Sequence, residues 1–134
     1  MIEKVDHIGI AVRDLKEAVA IYESILGLEL AGYETVDEQK VRVAKMHGGP
    51  DCIELLEPSS ADSPIARFLE ARGPGIHHIC LRVDDIETTL ARFKERGLRL
   101  IDEEPRIGAG GCRIAFVHPK STGGVLIELS EKKS

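Results

Sequence analysis

The chain states itself twice. Val5-Asp6-His7-Ile8-Gly9-Ile10-Ala11-Val12-Arg13-Asp14-Leu15 realigns on Ile76-His77-His78-Ile79-Cys80-Leu81-Arg82-Val83-Asp84-Asp85-Ile86, and Ile53-Glu54-Leu55 realigns on Ile127-Glu128-Leu129. His7 thus matches His78 and Glu54 matches Glu128, with nearly the same separation inside each copy. Two similar modules related by a pseudo-twofold can carry all four side chains to one point. Two imidazoles and two carboxylates that converge in a cleft make a metal site.

At 134 residues the chain suits one compact domain, because half-domains of about 65 residues would each bury too little surface to stand alone. The copies are therefore expected to fold as one unit, residues 1-62 as the first module and 76-134 as the second, joined by a helix and linker over 63-75. Hydrophobic residues at 43% and charged residues at 31% describe an ordinary soluble globule, and no apolar run reaches the roughly 20 residues that span a bilayer. Met1-Ile2-Glu3-Lys4 runs straight into a strand, so no targeting peptide is read and a cytoplasmic location is expected. A net charge of −5 without a basic stripe argues against nucleic acid. Cys52, Cys80 and Cys112 are odd in number and widely spaced, which fits small buried side chains in a reducing compartment.

Each copy reads as strand, helix and three strands, an α+β architecture of tandem βαβββ modules whose mixed sheet forms a cleft. From Val5 to Val12, Ile8, Ile10 and Val12 share one face and His7, Gly9 and Ala11 the other. The second copy sets Ile79, Leu81 and Val83 against His78, Cys80 and Arg82. Asp14 and Asp85 read as helix N-caps. The first helix carries Leu15, Ala18, Val19, Tyr22, Ile25 and Leu26 at helical spacing, the second Ile86, Leu90 and Phe93. Gly27 and Gly97 are expected to end them. Further strands are expected near Glu29 to Thr35, Val41 to Met46, Cys52 to Leu56, Arg99 to Asp102, Arg113 to His118 and Val125 to Leu129. Ser63-Pro64 opens the linking helix, and Gly73-Pro74-Gly75 closes it.

Alternation leaves Glu54 and Glu128 mid-strand in apolar surroundings, where a carboxylate needs a partner or a metal. A single such residue is more often a satisfied polar group, but four N/O donors recurring at equivalent places favour His7, Glu54, His78 and Glu128 as ligands of one ion. His77 falls on the opposite face to His78. His47 and His118 end strands and read as exposed polar groups. Gly108-Ala109-Gly110-Gly111 precedes a strand and reads as a hairpin or lid instead of a phosphate loop. An N₂O₂ set without thiolate suits a divalent cation, cobalt first, with manganese, nickel, zinc or magnesium behind it.

With these residues in view, the duplicated His, Glu, His, Glu pattern resembles the vicinal oxygen chelate superfamily over essentially the whole chain. Asp6-His7-Ile8-Gly9-Ile10-Ala11, Glu54-Leu55-Leu56-Glu57-Pro58, Asp62-Ser63-Pro64-Ile65-Ala66, Gly75-Ile76-His77-His78-Ile79 and His118-Pro119-Lys120-Ser121 through Gly124-Val125-Leu126-Ile127-Glu128-Leu129 are similar to the methylmalonyl-CoA epimerases. The resemblance implies interconversion of the (2R) and (2S) forms of an acyl-CoA substrate through an enolate, the four ligands above and a homodimer. Glu128 reads as ligand and acid/base, and Arg113 and Lys120 as cations for the anionic CoA, with Arg106 also available. No organic cofactor site is read. Some members carry a catalytic glutamate where this chain has Val43, which leaves Lys45 and Glu38 as the nearest candidates for a second base. Two other readings stand beside this one: a lactoylglutathione lyase using the same ligand set, and a non-catalytic module that sequesters a small molecule.

Overall fold

In the computed structural model, which describes residues 1–132, the element order is βαβββ, a helix, then βαβββ again. The elements are β1 (Ile2–Ala11), α1 (Leu15–Ser24), β2 (Glu29–Val36), β3 (Val41–Gly48), β4 (Asp51–Pro58), α2 (Pro64–Arg72), β5 (Gly75–Val83), α3 (Ile86–Glu95), β6 (Arg106–Ile107), β7 (Arg113–Val117) and β8 (Ile127–Glu131). This is the expected α+β fold. The last two residues of the expected 76-134 module lie outside the described residues.

Contacts divide the chain into two compact units, His7–His77 and a second made of Met1–Asp6 with the chain from His78 onward. The boundary falls inside β1. In the first unit the strands run in the order β2-β3-β4-β1, with β1 and β4 parallel and the others antiparallel. In the second they run β5-β8-β7-β6, with β5 and β8 parallel. The start of β1 is tied to this second unit, where the Met1 ammonium meets Asp84 at 2.7 Å and Asp6 pairs with Arg82.

Each unit has its own core between a helix and one sheet face. Val12, Leu15, Ala18, Val19, Ala44, Met46 and Leu55 pack in the first, and Val83, Ile86, Leu90, Ala115, Val117 and Leu129 in the second. The helix starts are where the sequence puts them: Asp14 accepts from the Glu17 N–H at 3.0 Å and Asp85 from the Thr88 N–H at 3.1 Å. The end of α1 differs from expectation. Its last helical residue is Ser24 and Ile25 caps it, donating its N–H to the Ile21 carbonyl at 3.0 Å, but Ile25 and Leu26 turn away from the core and are 76% and 59% exposed. At the end of α3 the Gly97 N–H donates to the Lys94 carbonyl and the Leu98 N–H to that of Phe93, a Schellman closure that requires the positive φ of Gly97.

The expected strand at Arg99 to Asp102 is a correction. The segment is shortened to one bridge, Leu100 to Val117, where the His118 N–H donates to the Arg99 carbonyl at 2.9 Å and the Ile101 N–H to that of Phe116 at 2.9 Å, and the pairing along β7 resumes at Arg106–Ile107. Asp102 explains the change, because its carboxylate takes the Phe116 N–H at 2.9 Å and so replaces a strand contact with a side-chain one. Between β6 and β7, Gly108 to Gly111 forms a tight turn, and a Cβ on Gly108 would come within 2.9 Å of Ile114. It is a hairpin connection, as the following strand implied.

Ser63 is wholly buried and its hydroxyl accepts the Ile65 N–H at 3.1 Å, with Pro64 at the first helical position. Ser63→Ala should therefore lower stability by about 1–2 kcal/mol, since the orphaned N–H has no water to turn to. Urea denaturation, compared at equal m-value, measures it.

Candidate active site

Parallel pairing explains why each histidine meets its glutamate. In the first unit Gly9 lies opposite Glu54, and His7, two residues earlier, shares that sheet face. In the second Cys80 lies opposite Glu128, and His78 is again two residues earlier. His7 Nε2 stands 3.4 Å from Glu54 Oε1, and His78 Nε2 stands 3.0 Å from Glu128 Oε1. All four residues are 5–7% exposed. The same local geometry is built twice, from the same offsets in two separate ladders.

The donor chemistry fits a metal. Ligand atoms about 2.0–2.2 Å from one ion sit about 3.0–3.5 Å from each other at octahedral or tetrahedral angles, and both His–Glu separations fall in that range. Burying a carboxylate beside an imidazole is costly for either group alone, and a shared cation offsets that cost.

The repeat continues around each pair. Glu57, three residues past Glu54, accepts the Leu15 N–H at 2.8 Å and pairs with Arg42 at 2.7 Å. Glu131, three residues past Glu128, accepts the Ile86 N–H at 2.8 Å and pairs with Arg113 at 3.3 Å. These glutamates clamp the helix N-termini to the strands that carry Glu54 and Glu128. Sequence reasoning missed them, although the Glu-x-x-Glu spacing in both copies was the available signal.

Residues 6–116 match the Glyoxalase/Bleomycin resistance protein/Dioxygenase superfamily. The chain is 42% identical to the ethylmalonyl-CoA/methylmalonyl-CoA epimerase of Cereibacter sphaeroides, over 98% of this chain and 99% of that one. The chain belongs to the methylmalonyl-CoA epimerase family. Its fold agrees: the crystal structure of the Mycobacterium tuberculosis methylmalonyl-CoA epimerase superposes with a TM-score of 0.95 at 41% identity, covering 99% of this chain and 90% of that one. A methylmalonyl-CoA epimerase in complex with methylmalonyl-CoA and ammonium superposes at 0.94 with 37% identity, covering 100% and 97%. Divalent metals are used across this superfamily.

Against the epimerase family, the remaining candidates fall in different places. Arg113 is engaged at both ends, by Glu131 and by Glu87 at 2.8 Å, so its charge is already matched within the helix clamp. Glu87 holds its guanidinium above the ordinary pKa. Lys120 is exposed in the turn Pro119–Ser121. Arg82 shares the face of His78 as expected and pairs with Asp6. His77 turns to the other face and meets the Phe68 ring edge-on at 5.0 Å. Glu38 is exposed in the turn Asp37–Gln39, whereas Lys45 lies directly opposite Glu54. In the second unit that place belongs to Phe116, opposite Glu128 and edge-on to His78 at 5.9 Å.

His118 caps the turn that carries Lys120, its Nδ1 accepting the Lys120 N–H at 3.1 Å. Desolvation first, then the charges of Arg99 and Lys120, pull its pKa below the ordinary 6.5. A proton would cost the imidazole its acceptor. The unfolded chain then takes up that proton before the folded one, so this contribution is present above pH 6.5 and lost as pH falls through the lower folded value. An NMR titration should place His118 below 6.5, and His118→Gln should flatten the acid side of the melting-temperature profile.

Proposed function

We propose that the protein interconverts the (2R) and (2S) forms of methylmalonyl-CoA by removing and returning the proton next to the thioester carbonyl. The observation that carries this is the duplicated His–Glu pair, buried and spaced for a metal in both units of a chain from the epimerase family. In this reading His7, Glu54, His78 and Glu128 are ligands of one divalent ion, and the two modules work as a single domain. Cobalt is placed first in this reading, with manganese, nickel, zinc or magnesium behind it, and two imidazoles and two carboxylates without a thiolate suit such divalent ions. Bound there, the ion supplies a Lewis acid for the thioester oxygen, worth several kcal/mol in comparable sites.

The protein's own groups do the rest. Glu128 has an Oε1 held 3.0 Å from His78, and a carboxylate fixed there is aimed rather than free to rotate, as general acid/base catalysis requires. Lys120 is the cation offered to the CoA phosphates in this reading, since Arg113 is already paired. Among the described residues no helix is long and apolar enough to cross a membrane, in keeping with a cytoplasmic acyl-CoA enzyme. Proton NMR of methylmalonyl-CoA in deuterium oxide with the metal-analysed protein tests the reading: the α-proton signal should vanish as both epimers form, and a signal that persists through equimolar enzyme would refute it.

We also propose a C2 homodimer. β2 and β6 stand at the ends of their strand orders, and unpaired edges invite association. Light scattering at micromolar concentration should give twice the 14.7 kDa chain mass. A clean monomer would remove this expectation.

A further inference from the structure

We infer that Glu34, held in place by Lys45, is the second acid/base of the epimerisation, an inference that rests on the function proposed above. Inversion removes a proton from one face of a carbon and returns one to the other face. Two groups are therefore needed, and Glu128 is only one of them.

The strand registers of the first unit lay out what surrounds Glu54. On its sheet face one cross-strand row is Gly32, Lys45 and Glu54, and the next is Glu34, Val43 and Leu56. Val43 and Leu56 are aliphatic and 2% and 5% exposed, so neither can carry a proton. Glu34 shares their row from the neighbouring strand. Its Oε1 lies 3.5 Å from the Lys45 ammonium, so the two side chains meet across the step between their rows. Gly32, which has no side chain, leaves that edge of the row open for it. Glu34 and Lys45 are both about one-third exposed, within reach of a ligand yet mostly shielded from water. Glu38 is the other carboxylate considered for this role. It sits in the exposed turn beyond the Val36–Val41 pair, further along the hairpin than Glu34.

The second unit carries different side chains at the matching places. The places matching Glu34, Val43 and Lys45 hold Arg106, Ile114 and Phe116, and the Arg106 guanidinium lies over the Phe116 ring at 5.9 Å. In both units an edge-strand side chain reaches diagonally onto the residue opposite the ligand glutamate. Duplication kept the geometry and changed the chemistry. A guanidinium over a ring cannot accept a proton from carbon, whereas a carboxylate on an ammonium can.

In one direction the Glu34 carboxylate takes the α-proton, the C–H electron pair moves into the enolate with its charge on the thioester oxygen, and protonated Glu128 delivers its proton to the opposite face. In the reverse direction the two carboxyl groups exchange roles. Lys45 is a positioning residue: its ammonium keeps Glu34 turned toward the row of Glu54 and is not consumed.

The test follows each pure epimer in deuterium oxide. Glu34→Gln should lose epimerisation by about 10²–10⁴-fold while metal content and melting temperature stay at parental values. It should still exchange the α-proton of the one epimer that Glu128 deprotonates, without inverting it. Adding Val43→Glu should restore inversion, because the carboxylate returns from the adjacent strand. Lys45→Arg, which keeps a cation on Glu34, should retain activity that Lys45→Met loses. If the parent epimerises and Glu34→Gln does so within about twofold of it, or loses exchange from both epimers equally, the assignment is wrong. A parent that neither exchanges nor epimerises overturns the proposed function itself, and this inference with it.

Discussion

His78→Ala should abolish stoichiometric metal binding. The imidazole is 5% exposed, with its Nε2 3.0 Å from Glu128, and Phe116, which stands edge-on to its ring, offers no donor in its place. Loss of an outer partner of a ligand already weakens metal sites by about 10–100-fold, and removal of the ligand itself should exceed that. Glu128 would also be left as a buried carboxylate without its imidazole, which costs about 3–5 kcal/mol where a buried pair is broken. Elemental analysis after dialysis, read together with the thermal melt, measures both effects. Full metal occupancy in His78→Ala would remove His78 from the ligand set. Glu54→Gln is the control, since an amide oxygen still coordinates and the altered residue stays in the same strand register.

Glu128→Gln should separate ligation from catalysis. The amide keeps an oxygen at the place of Oε1, and the surroundings, Cys80 across one ladder and Phe116 across the other, are unchanged in volume. Much of the metal should therefore remain. An amide cannot accept a proton from carbon, so epimerisation should fall by about 10²–10⁴-fold, the usual share of a positioned acid/base. Chiral analysis of the product at saturating metal reads the rate. Near-parental epimerisation with metal bound would show that Glu128 only ligates. Glu34→Gln and Glu128→Gln should each spare exchange of a different epimer, so the pair of variants assigns each carboxylate to its own face of the substrate.

How much of this was legible in the sequence depends on how local each feature is. Both His–Glu offsets were visible because a parallel β1–β4 and β5–β8 pairing, at matched separations, needs only the period of two and the repeat to be inferred. Asp14, Ser63 and Asp85 were readable as caps because a cap bonds to a backbone group two or three residues away. The end of α1 was not. Ile25 and Leu26 continue the apolar spacing, yet they stand exposed at the capped end of the helix. Likewise Arg99 to Asp102 has the composition of a strand, but it pairs with β7 only through the Leu100–Val117 bridge, because the Asp102 side chain takes the Phe116 N–H from 14 residues away, and the ladder resumes at Arg106.

The sequence alone determined the duplication, the α+β order of elements, the four candidate ligands and the helix starts, all of which follow from spacing along the chain. Tertiary structure decided which side chains surround those ligands. Glu34 comes to Lys45 only because the β2–β3 register shifts between Leu30 and Gly32, an irregularity that moves every later residue of β2 by one place relative to its partner. Arg113 is occupied by Glu87 and Glu131 only because α3 starts beside the end of β8. The physical reason is the same in both cases. Side-chain alternation and capping are fixed within a few residues, whereas cross-strand register is set by bulges and turns whose consequences appear only when distant strands pair.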